Sequence, residues 1–123
     1  MEQLILHLAG DYVTQTDWMA RNKDRALWPA ACHALVYGLP FLVIGSPRAV
    51  LAIVAGHLII DRFGLARYVL RMKCWLGSAH TPGSDCLGTG LPKDMPEWRA
   101  WWLLVAVDNT MHLALNYAAL RWL

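Results

Sequence analysis

The stretch Pro47–Leu70, PRAVLAIVAGHLIIDRFGLARYVL, decides the fold. From Ala49 to Ile60 its single side chain that is not apolar is His57. A bilayer core ~30 Å thick takes about 20 helical residues to cross, and this segment has the length for it. Ala26–Ile44 and Arg99–Leu123 come close to the same length. Gly45, Ser46 and Pro47 form a tight link that makes the second and third segments antiparallel neighbours, and Pro47 suits the first turn of a helix. Glu2–Ala20 is helical in pattern but interrupted by Gly10, Asp11, Gln15 and Asp17. It is either a weak spanning helix buried among the others or a re-entrant segment. Residues 71–98 differ in composition, with Gly77, Pro82, Gly83, Gly88, Gly90, Pro92 and Pro96 separating short polar pieces. The approach to them, Arg67–Leu76, mixes basic and apolar residues and suits a position along a membrane surface. The expected fold is all-α: a small polytopic transmembrane bundle of three or four helices in a single domain, 1–123, with one long cytoplasmic loop at 71–98.

Composition agrees. The 123 residues are 57% hydrophobic and 16% charged, against roughly 25% charged in an ordinary soluble domain. A soluble domain of this size would have to hide seven tryptophans in one small core. The net charge of +2 gives little grip on nucleic acid, and no zinc-finger or basic-helix spacing is present, so no nucleic-acid partner is expected. Leu4–Ala9 is too short for a signal-peptide core, and Met1 is expected to begin the mature chain. Cys32, Cys74 and Cys86 lack any CxxC pairing and read as isolated reduced thiols. On four passes, Arg21, Lys23, Arg25, Arg62, Arg67, Arg71, Lys73, Lys93 and Arg99 fall on one side, Arg48 and Arg121 on the other. That bias puts both termini outside, and the seven tryptophans fall near helix ends or in their flanks.

The ionisable residues inside the apolar segments are the most informative feature, because burying them in a membrane is costly. His7 and Asp11, His57 and Asp61, and Asp108 and His112 are three pairs at four-residue spacing. On a helix this places both side chains of a pair on one face, one turn apart, where both can reach one metal ion. His33 adds a lone candidate on the remaining helix. Counted from the presumed outer ends at 1.5 Å per residue, every one of these groups except His7 falls within roughly 6 Å of depth, and His7 lies one turn shallower. A shared site is therefore expected, with His7, Asp11, His33, His57, Asp61, Asp108 and His112 holding one or two divalent ions, zinc, manganese or iron. An unligated carboxylate, Asp11 or Asp61, would be the catalytic base for a metal-activated water. Arg62 reads as a topology-setting charge ahead of a phosphate contact, and Asn109 and Asn116 as interhelical hydrogen-bond formers. Gln15, Asp17 and Asn22 lie around the first loop, and His80 in the long loop reads as solvent exposed.

HLAGDYVTQTDWMARNK at His7–Lys23, CHALVY at Cys32–Tyr37, GHLIID at Gly56–Asp61 and DNTMHL at Asp108–Leu113 together resemble a family of small, uncharacterised membrane proteins of bacteria and their phages. The family pattern reads HxxGD[FY]xxQ, an apolar-helix His, HxxxD followed by a basic residue, and DQxxH. His7, Gly10, Asp11, Tyr12, Gln15, His33, His57, Asp61, Asp108 and His112 fit it, and Asn109 stands where Gln is usual. The arrangement is also similar, more loosely, to predicted inner-membrane metal-dependent hydrolases. The resemblance implies a multi-pass protein of the bacterial inner membrane. The expected activity is hydrolysis of a phosphoester in a lipid-linked or amphiphilic substrate, with the bilayer as partner and oligomerisation left open. Two rivals stand beside it: a non-enzymatic phage or host membrane factor with a structural metal or polar core, and an ion or proton conductor.

Overall fold

A computed structural model describes residues 1–76 and 88–123. Ser46 sets the start of the deciding helix: its hydroxyl accepts from the Ala49 amide at 3.1 Å, the arrangement of a helix N-cap. Pro47 follows at the first helical position, where its missing N–H leaves no helical bond unmade. The chain forms α1 (Glu2–Leu8), a π-helical turn (Ala9–Val13), α2 (Asp17–Asn22), α3 (Leu27–Gly38) continued by a 3₁₀ turn (Leu39–Val43), α4 (Pro47–Phe63), α5 (Leu65–Leu76) and α6 (Glu97–Trp122). The described residues are thus predominantly helical, as expected. Pro40 coincides with the tightening of α3 into its 3₁₀ end, since proline cannot donate an interior helical hydrogen bond.

Two expected boundaries are corrected. Pro47–Leu70 is not one helix: it ends at Phe63, and Gly64 takes φ +57°, a left-handed conformation that stops a helix. The segment beyond is helical to Leu76, so residues 71–76, expected as loop, are helix. Gly77, His80, Pro82, Gly83 and Cys86, on which the loop and thiol readings also rested, lie outside the described residues. Cys32 is a free thiol. Gly64→Ala is expected to lower stability by about 1–2 kcal/mol, the cost of placing a side chain at a left-handed position, and Gly64→Asn by less. Thermal unfolding of the purified variants checks both.

The chain divides into two compact units. Met1–Phe63 with His112–Leu123 packs around Tyr37, Phe41, Ala49, Val50, Ile53 and Ala119, with Leu6 and Leu120 against them. Gly64–Met111 has its own smaller core of Leu70, Leu91 and Ala100, flanked by Met95, Leu103 and Val107. Within the latter, α5 buries Ala66 and Leu70 while Tyr68, Met72 and Trp75 stand exposed.

Large apolar side chains stand at the surface, and a set of polar ones is buried beside the apolar cores. Val43 is 85% exposed and Leu51 70% exposed, and all seven tryptophans stand exposed. His7, His33, His57, His112 and Asn116 are fully buried. No single helix among the described residues is long and apolar enough to cross a membrane. α4 and α5 meet the length and hydropathy requirement only together, as a bent pair, and Leu27–Val43 is apolar but short. α6 has the length but carries Glu97, Arg99, Asp108 and Arg121 along it.

Candidate metal centre

Five elements contribute residues of the first unit to one buried cluster. α1 brings His7, and the π-helical turn after it brings Asp11. His33 comes from α3, His57 and Asp61 from successive turns of α4, and His112 and Asn116 from successive turns of α6. Helical four-residue spacing explains why the last two elements deliver two groups apiece to one place.

The Nε2 atoms of His33 and His57 lie 3.0 Å apart at the centre. On one side Asp11 Oδ1 is 3.3 Å from His33 Nε2 and 3.6 Å from His57 Nε2. Asp61 Oδ2 is 3.3 Å from His33 Nε2 and 3.2 Å from His57 Nε2. Asp61 Oδ1 is 3.7 Å from His112 Nε2. Asp11 and Asp61 expose 9% and 3% of their side chains. Two groups could hold a metal ion, Asp11, His33 and His57, and His57, Asp61 and His112, the ligand atoms of each lying within 4.8 Å of one another. His57 belongs to both.

The spacing within the first group is informative. An ion held at ~2.0–2.1 Å by nitrogen and oxygen in a tetrahedron keeps neighbouring donors about 3.3–3.4 Å apart. The edges of the Asp11, His33, His57 triangle, 3.0, 3.3 and 3.6 Å, bracket that value. Asp11 Oδ1 and the Nδ1 atoms of His33 and His57 are buried without a hydrogen-bond partner among the described residues. Of these, Asp11 Oδ1 faces the triangle, whereas the two Nδ1 atoms lie on the far edge of their rings from the Nε2 atoms that would hold an ion.

A supporting layer holds the cluster in place. The Tyr37 hydroxyl lies 2.9 Å from His7 Nδ1 and accepts from Asn116 Nδ2 at 2.7 Å. Its ring stacks on His57 with centroids 3.8 Å apart and 23° between the planes. His7 Nδ1 is also 3.4 Å from Asp11 Oδ2, so the ring is clamped between a phenol and a carboxylate. Tyr37 can pack this deeply because Gly10 faces it: a Cβ at residue 10 would come within 2.4 Å of Tyr37 Cδ2. From the α2–α3 connection, Lys23 Nζ pairs with Asp61 Oδ2 at 2.9 Å.

The sequence-derived set is largely assembled. His7, Asp11, His33, His57, Asp61 and His112 are brought together; Asp108, partly buried on α6, is in neither metal-capable group. Asn116 makes the interhelical hydrogen bond expected of it. Arg62 donates to the Asp24 carbonyl at 2.8 Å, bracing the connection that carries Lys23. Tyr37 and Lys23 were not singled out by sequence reasoning. Tyr37 stands four residues after His33, on the same helical face, and that was the signal for it; Lys23 was indistinguishable from other loop cations.

The fold and site define a helical protein with a buried imidazole and carboxylate cluster able to hold a metal ion. Residues 1–80 match the family described as protein of unknown function (DUF3307), and the chain belongs to that family. The matched stretch carries Asp11, Lys23, His33, Tyr37, His57 and Asp61, while His112 and Asn116 lie beyond it. No curated protein and no solved structure matches the chain.

Proposed function

We propose that this protein is a membrane-embedded, metal-dependent hydrolase of the bacterial inner membrane, acting on a phosphoester in a lipid-linked or amphiphilic substrate. The observation that carries the reading is the Asp11, His33, His57 triangle, whose edges suit a small divalent ion held by three protein groups with a position left open. Zinc fits that donor set, and manganese or iron is compatible with it. A bound ion would supply Lewis acidity and lower the pKa of a water. We assign the role of base to Asp61, 3.2 Å from His57 Nε2 and outside that triangle, once its pairing with Lys23 is released. His112 and Asp61 with His57 offer a second position that shares His57 with the first, so a second ion would need the other nitrogen of that imidazole.

The membrane reading rests on large apolar side chains at the surface, on imidazoles and carboxylates buried within the apolar segments, and on tryptophans exposed at or near helix ends. In a bilayer the short helices of the first unit would span jointly, and an amphiphile could reach the buried cluster from the lipid. A structural role for the metal is favoured by one observation, the continuous Asn116, Tyr37 and His7 hydrogen bonding that stitches α6, α3 and α1 together.

Metal analysis separates these from a plain polar core. Protein purified in mild detergent without chelator is expected to hold at least about one equivalent of divalent metal per chain. A content below about a tenth of an equivalent, after supply of zinc, manganese and iron, overturns the metal site. Hydrolysis of a phosphate ester that disappears on chelation and returns with metal supports the enzyme; full metal loading without any turnover of lipid-like phosphoesters supports the structural role.

A further inference from the structure

Lys23 reaches into the cluster from the edge of the fold. Its side chain is 23% exposed, yet its ammonium is 2.9 Å from Asp61 Oδ2, on a side chain only 3% exposed. The residue is held on two sides. Gln15, its amide oriented to satisfy both neighbours, donates to the Asp11 carbonyl at 2.9 Å and accepts from Lys23 Nζ at 3.1 Å. Arg62, next to Asp61 on α4, donates to the carbonyl of Asp24 at 2.8 Å. The connection carrying Lys23 is thus braced against both carboxylate-bearing elements, a degree of placement that an ordinary solvated lysine does not have.

Charge makes the consequence specific. Asp11 and Asp61 carry two negative charges, and Lys23 offsets one of them. With neutral imidazoles, one divalent ion turns the net charge of the cluster from −1 to +1. An uncompensated charge in a buried site is strongly unfavourable, so the loaded site calls for an anion. An ion in the second group, His57, Asp61 and His112, would compete with the ammonium for Asp61, and the flexible four-carbon stem of lysine lets its head move by a few ångströms.

Resting on the metal-site reading above, we propose that Lys23 is the substrate-recognition residue of this site: its ammonium neutralises Asp61 while the site lacks metal and turns to a phosphate-type oxyanion when metal is bound. Lysine is a good point-charge partner for phosphate. The substrate class is thereby narrowed to molecules presenting a phosphate oxyanion, whether on a lipid headgroup or free.

Inorganic phosphate titrated into metal-loaded and chelated protein tests this, with metal content measured first on every sample. Metal-loaded wild type is expected to bind phosphate and chelated wild type to bind at least about tenfold more weakly. Lys23→Met should weaken phosphate binding about tenfold or more with metal content unchanged, and Lys23→Arg should stay within about threefold of wild type. Phosphate binding by Lys23→Met equal to wild type overturns the proposal, as does loss of metal from that variant, which would make Lys23 part of the metal site. Wild type that holds metal but binds no phosphate also overturns it while leaving the metal site standing. Wild type without metal overturns the underlying reading instead. Competition by phosphatidic acid in detergent micelles, stronger than by inorganic phosphate, assigns the oxyanion to a lipid headgroup; the reverse order assigns it to a free phosphate; competition by neither overturns the proposal.

Discussion

His57→Ala is expected to empty the metal site, lowering bound metal to below about a tenth of the wild-type content, and to destabilise the protein by roughly 3 kcal/mol. Among the described residues His57 is the only one common to both metal-capable groups, so its loss leaves two donors in each. A pair of donors seldom retains a divalent ion against solvent. The ring is also fully buried, stacked on Tyr37 and 4.2 Å between centroids from His112, so truncation opens a cavity beside two carboxylates. Asp108→Asn is the comparison, because Asp108 is in neither group. That variant is expected to keep most of its metal. Inductively coupled plasma measurements on both, with thermal unfolding alongside, decide the matter. Metal retained by His57→Ala at the wild-type level would remove the cluster from consideration as the binding site.

Gly10→Ala is expected to destabilise the fold by about 3 kcal/mol and to reduce metal binding although no donor is altered. A methyl group at residue 10 would lie 2.4 Å from Tyr37 Cδ2 and 3.0 Å from Cε2, far inside van der Waals contact. Tyr37 has nowhere to retreat. Its ring is flush against His57, its hydroxyl is engaged by His7 and Asn116, and it is fully buried. Relief must come from shifting the π-helical turn, which carries Asp11, or the ring that supports His57. Either motion spoils the Asp11, His33, His57 triangle. Thermal unfolding and metal content should therefore fall together, whereas Tyr37→Phe, which keeps the ring and removes the hydroxyl, should affect stability more than metal. An unfolding midpoint unchanged in Gly10→Ala would show that the turn yields without penalty.

What the sequence made legible was periodic. Pairs such as His57 and Asp61 share a face by helix geometry alone, and matching depths already put Asp11, His33, His57, Asp61, Asp108 and His112 at one level. Helix starts governed by local chemistry, such as Ser46 and Pro47, were equally plain. The parts that escaped depend on non-local or conformational detail. The helix break at Gly64 was hidden because glycine in an apolar run is compatible with continued helix, and only its left-handed backbone reveals the stop. Lys23 looked like a loop charge because its partner, Asp61, is far along the chain, on another helix. Tyr37 passed as a core aromatic, since nothing in CHALVY says that its hydroxyl will face His7. Asp108 shares its four-residue spacing with His112, but that spacing aligns side chains only along a helix and does not decide how far each reaches.

The wide turn at Ala9–Val13 bears on how such a protein can change over generations. A π-helical turn holds one more residue than the α-helical equivalent, and a single deletion within it would restore the tighter winding. Five residues at about 4.4 per turn sweep roughly 410° and four at about 3.6 per turn sweep about 400°, so the helix before the deletion would keep its facing to within about 10°. His7 would stay beside Tyr37, and the loss would fall on the turn itself, which carries Gly10 and Asp11. Loss of one codon there could thus spare the imidazole while re-aiming the carboxylate beside it.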